Sequence, residues 1–203
     1  MSTNNYKSNN SRYETLRNNI SNYFKEELNI ELVEELNIEK LFGLKSVLSN
    51  INNMITYKAS ACFVEWLKKK GIITEQEKKN ELNRLDATSA NANGFDINIS
   101  TADKKIILAE VKCNIPINNS SGFGSAQRNG ILSDMQKLAK TKGDFKFMVL
   151  LDNEKVKSAF CEEETFIKYL NNNGFEKDKN FVTAKNTKEL DMKKINVVFV
   201  KIN

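Results

Sequence analysis

Asp96, Glu110 and Lys112 are the residues of this 203-residue chain whose types and spacing could do chemistry. Glu110 and Lys112 close the apolar run Lys105-Ile106-Ile107-Leu108-Ala109-Glu110-Val111-Lys112-Cys113. Its first half reads as a strand buried on both faces, because β-branched residues dominate and no breaker intervenes. Alternation along a strand puts Ile106, Leu108, Glu110 and Lys112 on one face and Ile107, Ala109, Val111 and Cys113 on the other. A carboxylate and an ammonium therefore project side by side, and burying them costs free energy unless they are paired or bind something. Asp96 is the expected partner. It opens a second short strand, Phe95-Asp96-Ile97-Asn98-Ile99, and the polar stretch from Ser100 to Lys104 is short enough for a hairpin. For Asp96 to face as Glu110 does, the two must be cross-strand partners, which pairs Thr101 with Lys105 and leaves the three-residue loop Ala102-Asp103-Lys104. A two- or four-residue loop would turn Asp96 to the other face unless a bulge intervened. Mg²⁺ takes oxygen ligands, keeps waters, and is held by one or two carboxylates plus substrate phosphate, so this layout suits metal-dependent cutting of a phosphodiester.

The pattern Gly94-Phe95-Asp96 followed by Glu110-Val111-Lys112 resembles the PD-(D/E)xK nuclease superfamily, the fold shared by many type II restriction endonucleases, some resolvases and some repair nucleases. Gly94-Phe95-Asp96 stands where the family's name has Pro-Asp, and the ligand itself is unchanged. The likeness covers residues 57–151. It implies that Asp96 and Glu110, with the backbone carbonyl of Val111, bind Mg²⁺, for which Mn²⁺ can substitute, and that Lys112 positions or helps deprotonate the attacking water. A lone Glu-x-Lys is common on solvated strands. Here the pair ends a strand too apolar for a surface, a second carboxylate precedes it at hairpin distance, and a helix with an inward polar residue follows.

That helix is expected from Ser125, as N-cap, to Lys140, with Ile131, Met135 and Leu138 as its apolar stripe. Gln127 lies on the stripe in the first turn, and two readings stand. It resembles the polar residue that orients the scissile phosphate or water in these nucleases, or it caps its own helix end. Arg128 and Asn129, displaced around the same turn, are candidates for DNA phosphate contact together with the positive helix N-terminus, or plain solvated residues. Glu65 is a secondary candidate for the metal site, since superfamily members often contribute a carboxylate from a preceding helix. It falls away from the Ala59, Phe63, Trp66, Leu67 face of a helix expected over Ile55–Lys70, which favours a solvated or salt-bridged role.

Absences narrow the chemistry. With no histidine in the chain, HNH and metallo-β-lactamase nucleases, Ser-His hydrolases, Cys-His proteases and His-ligated zinc sites are excluded. The three cysteines lack Cys-x-x-Cys spacing, and their odd number argues against a disulfide framework, so a reducing cytoplasm is expected. No Walker-type loop is present, so no nucleotide cofactor is expected. The longest apolar run is far shorter than the roughly twenty residues of a membrane span. A net charge of +5 favours a polyanionic partner or serves solubility alone.

Around the motif, the expected organisation is a floppy tail over 1–11, a helical region over 12–90 packed on the core, and the nuclease core over 91–203, one domain in all. Lys146–Leu151 and Ile195–Ile202 read as further strands and Glu162–Asn172 as a helix. The hexamer Glu26-Glu27-Leu28-Asn29-Ile30-Glu31 recurs at residues 34–39, too briefly for a repeat architecture. These elements give an α/β fold with a restriction-endonuclease-like core: a central mixed sheet of at least four strands flanked by helices. The expected activity is that of a Mg²⁺-dependent endodeoxyribonuclease on double-stranded DNA, a homodimer so that two sites cut two strands. The alternatives are a structure-selective or repair nuclease of resolvase type and a catalytically silent DNA-binding subunit with the same fold.

Overall fold

Apolar runs too short for long helices, and aliphatic stripes at helical spacing between them, alternate along the second half of the chain, and that alternation builds the sheet and its cover. A computed structural model describes residues 18–30, 38–88, 93–116, 122–184 and 186–202. The expected tail and most of the second hexamer copy lie outside the described residues. In chain order the elements are α1 (helical residues 18–27), α2 (Ile38–Lys69), α3 (Glu75–Ala87), β1 (Ile97–Ser100), β2 (Ile106–Lys112), α4 (Ser125–Lys140), β3 (Phe145–Leu151), α5 (Glu154–Cys161), α6 (Glu164–Asn172), β4 (Phe181–Thr183) and β5 (Ile195–Val200). A single 3₁₀ turn, Thr187–Glu189, precedes β5.

The chain divides into two compact units at Asn50/Ile51, inside α2. In the first, α1 is closed by Asn29 at φ +54, a left-handed C-terminal cap in which the Ile30 N–H donates to the Phe24 carbonyl at 2.9 Å. The second unit holds the remainder of α2 and everything after it.

There the five strands form one mixed sheet in the order β1-β2-β3-β5-β4, with β1 antiparallel to β2 and every other pair parallel. Parallel neighbours need crossovers, and α4 supplies the one between β2 and β3. On one sheet face Leu108 packs with Ile131, Met135 and Leu138 of α4 and with Phe160 and Phe166. On the other, Ile107, Ala109 and Val111 pack with Ala59, Phe63, Val64 and Leu67 of α2. Burial on both faces is why the strands read as continuous apolar runs. Phe63, fully buried, stacks on Trp66 and meets Phe147 edge-on at 5.1 Å, so Phe63→Ala is expected to cost about 3–5 kcal/mol.

The β1–β2 hairpin has the register that parity demands. Ile97 pairs with Ala109 and Ser100 with Ile106, and Thr101 donates its N–H to the Lys105 carbonyl at 2.9 Å. The loop is Ala102-Asp103-Lys104, with Lys104 at φ +64, the left-handed last position that three-residue hairpin loops use. Asp96, one residue beyond the ladder, thus comes opposite Glu110.

Candidate active site

Glu110 and Lys112 leave β2 on the side of Leu108, toward α4, and α4 answers each with an opposite charge. Lys137 Nζ lies 2.5 Å from Glu110 Oε1, and Lys112 Nζ lies 2.7 Å from Asp134 Oδ2. The second contact lacks hydrogen-bonding geometry, so Asp134 Oδ2 is buried with an ion-pair partner and no hydrogen bond. Asp134 and Lys137 stand one helical turn apart, so they face the strand together. Lys137 Nζ also donates to the Gly94 carbonyl and sits 4.4 Å from the centre of the Phe95 ring. The Asp96 side chain turns back on β2, where its Oδ2 accepts the Val111 N–H at 2.7 Å. This bond fixes Asp96 beside Val111, whose carbonyl would be its fellow ligand.

Glu110 is 5% exposed. Burial pushes its carboxyl up to about 7; the bond from Lys137 opposes this, and the negative charges of Asp134 and Asp96 reinforce it. A carboxyl so placed, among anions and out of water, is stabilised in its ionised form by any added cation.

Asp96, Glu110, Lys112 and Asp134 line one open cleft of about 510 Å³. Its other wall is α2, where Asn52, Asn53, Thr56 and Ser60 lie at helical spacing on the same face as Ala59, Phe63 and Leu67, toward the start of the helix. The wall is uncharged and offers both donors and acceptors.

The edge strand β1 is held by α3. Glu81, 4% exposed, takes a two-point bond from Arg84 at 2.8 and 2.7 Å and accepts the Asn98 N–H at 3.1 Å. Arg84 Nη2 donates to the Asp96 carbonyl at 2.5 Å. One turn earlier Glu77, itself in a capping box with Thr74, accepts the Ala102 N–H at 2.7 Å. These side chains satisfy outward groups of β1 that would otherwise form an open edge, and they set the backbone of Asp96.

Four sequence candidates are not brought to the cleft. Gln127 uses both ends of its amide on backbone: Oε1 accepts the Gly124 N–H at 3.0 Å and Nε2 donates to the Ile115 carbonyl at 3.0 Å. It caps its helix, whose N-cap is Gly124 rather than Ser125. Its place on the stripe reflects that role. Glu65 pairs with Lys78 at 3.2 Å, on the far side of α2 from the cleft wall. Arg128 lies over the Tyr169 ring, 5.6 Å from its centre, and Asn129 accepts the Tyr169 hydroxyl at 2.7 Å. Asp134, Lys137 and the Glu81–Arg84 pair were missed. Asp134 had a signal: it lies between Ile131 and Leu138 on the apolar stripe of α4, where a carboxylate asks for a partner.

Asp96, Glu110 and the Val111 carbonyl, with Asp134 adjacent, are the oxygen donors that could hold a metal. Among the described residues no group of three or more acidic, histidine or cysteine side chains is arranged around one point. Mg²⁺ does not require one, because two carboxylates with waters and a substrate phosphate complete its shell. The donor set fits a hard cation, and an ammonium already rests on its Glu110 arm.

Compared with protein-family models, with curated proteins and with solved structures, the chain matches none.

Proposed function

We propose that this chain is a Mg²⁺-dependent endodeoxyribonuclease with a restriction-endonuclease-like core, hydrolysing phosphodiester bonds in double-stranded DNA as a homodimer. The observation that carries the reading is the hairpin register, which sets Asp96 opposite Glu110 with Lys112 on the same face in one cleft. Parity in a hairpin is a two-way choice, and here it falls on the side the reading requires; an uncharged hydrogen-bonding wall facing the carboxylates also suits a nucleic-acid strand.

Asp96 and Glu110, with the Val111 carbonyl, would hold the metal, which when bound supplies a lowered water pKa and charge neutralisation at the phosphate. Lys112 has its ammonium on the cleft side of β2, where it can orient the attacking water and stabilise charge gathering on the phosphate oxygens. Asp134 holds that ammonium in place. Arg84 and Glu81 keep the Asp96 backbone at its station.

The test is incubation with supercoiled plasmid and with phage DNA, with and without Mg²⁺. Discrete fragments are the expected result, and a smear would make the cutting nonspecific. Intact DNA across a range of substrates, Mg²⁺ and Mn²⁺ both supplied, would overturn the reading. Asp96→Ala and Glu110→Ala are each expected to abolish cleavage while DNA binding persists. Ca²⁺ is expected to support binding without cutting, since its looser coordination poorly organises the water.

A further inference from the structure

The Lys137 ammonium is held as a bound cation is held. It touches one carboxylate, Glu110 Oε1, and one backbone carbonyl, that of Gly94, and it lies against the Phe95 ring face. All three partners belong to the two segments that carry the candidate metal ligands: Gly94 and Phe95 immediately precede Asp96, and Glu110 is a ligand itself. A carboxylate, a carbonyl oxygen and an aromatic face are a cation's surroundings. The Lys137 side chain nevertheless remains 41% exposed, so the ammonium is seated at its tip while its stem reaches in from solvent. Lys112, by contrast, is 28% exposed and takes its charge partner from α4, away from Glu110.

We propose that Lys137 is a tethered placeholder for the divalent metal: it neutralises Glu110 in the metal-free protein and is displaced toward solvent when the metal binds. This rests on the reading of Asp96 and Glu110 as metal ligands. Two requirements are met by the geometry. The carboxylate is too buried to sit ionised without a cation beside it, and Lys137 supplies one. The displaced group does not become a buried orphan, because the lysine has four flexible methylenes and an open path to water. Competition lowers the apparent metal affinity by the fraction of molecules in which the seat is free.

Calorimetric titration with Mn²⁺ compares wild type with Lys137→Met at several pH values. The variant is expected to bind about tenfold more tightly, the factor for a seat free about a tenth of the time. Equal or weaker affinity in the variant would overturn the placeholder role while leaving Asp96 and Glu110 as ligands. No binding in either protein would overturn the metal reading and the placeholder with it. A second measurement needs no variant: acylation of the wild-type protein by a water-soluble active ester, read residue by residue by mass spectrometry. Saturating Mg²⁺ is expected to raise the reactivity of Lys137 several-fold and leave that of exposed Lys140 unchanged. Unchanged or reduced reactivity of Lys137 at metal saturation would overturn displacement.

Discussion

Lys112 is expected to matter for rate as well as for stability. Its ammonium is the ion-pair partner of the buried Asp134 Oδ2, so Lys112→Ala is expected to cost about 1–3 kcal/mol of stability and to lower the cleavage rate about 10²–10³-fold, the range for losing a positioned electrostatic stabiliser. Lys112→Arg should rescue little, because a planar guanidinium is bulkier and does not deprotonate. A wild-type rate in a folded Lys112→Ala protein would remove Lys112 from the chemistry. Glu110 carries a second expectation, in pH. Its folded carboxyl titrates at about 7 against an ordinary value of 4.5. Between those values the folded state holds more protons than the unfolded one, so this group's contribution to stability falls as pH rises through that window and is constant above it. The stability advantage of Glu110→Gln over wild type in metal-free buffer should therefore grow from pH 4.5 to about 7 and then level off. A difference independent of pH would show that Glu110 is not perturbed. At this scale the sequence was legible where the chemistry needs a charge on an apolar strand, as at Glu110. The partner charges on α4 were less so, because Asp134 and Lys137 become neighbours of β2 only through the crossover.

Elements read best where a period of two or 3.6 decides the face. The hairpin is the strongest case, since parity required Thr101 opposite Lys105 and the structure has that pairing. The bounds of α4, expected and found over Ser125–Lys140, follow from its stripe. What stayed hidden depended on partners distant in sequence. β4 has only three residues, and its parallel pairing with β5 leaves no local trace. α3 carries few apolar residues, and its role lies in Glu77, Glu81 and Arg84 meeting an edge whose position is set by the fold. That role is testable. Arg84→Ala leaves buried Glu81 without its cation and should destabilise the protein by about 3 kcal/mol, the low end for breaking a buried pair because Arg84 is 35% exposed. Glu81→Ala should additionally speed hydrogen exchange at the Asn98 amide, whose acceptor it removes, while the Ala102 amide on Glu77 stays protected. Chemical denaturation and amide exchange check both, and equal exchange at Asn98 would show that the clamp does not hold the strand edge.

For the molecule as a whole, the question is how much of the chain the site needs. Every residue named in the cleft lies after Asn50, and the α2 side chains buried on the sheet begin at Ala59. The long helix α2 nevertheless runs back to Ile38, and its early turns carry Phe42, Val47 and Leu48 at 64%, 52% and 51% exposure. Phe42, Val47 and Leu48 point to different sides of the helix and form no single apolar patch. A chain shortened to residues 51–203 should therefore keep its sheet and unfold in a single cooperative transition, because no core residue is lost. It should also retain Mn²⁺ binding, since the candidate ligands are intact. If the proposed dimer forms through residues before Ile51, the same shortening should convert double-strand cutting of plasmid into single-strand nicking and shift the sedimenting species from dimer to monomer. Linear product at the full-length rate from a monomeric shortened chain would place both cuts within one copy and end the homodimer proposal. A broad, non-cooperative transition would instead show that residues 1–50 contribute to the fold of the sheet.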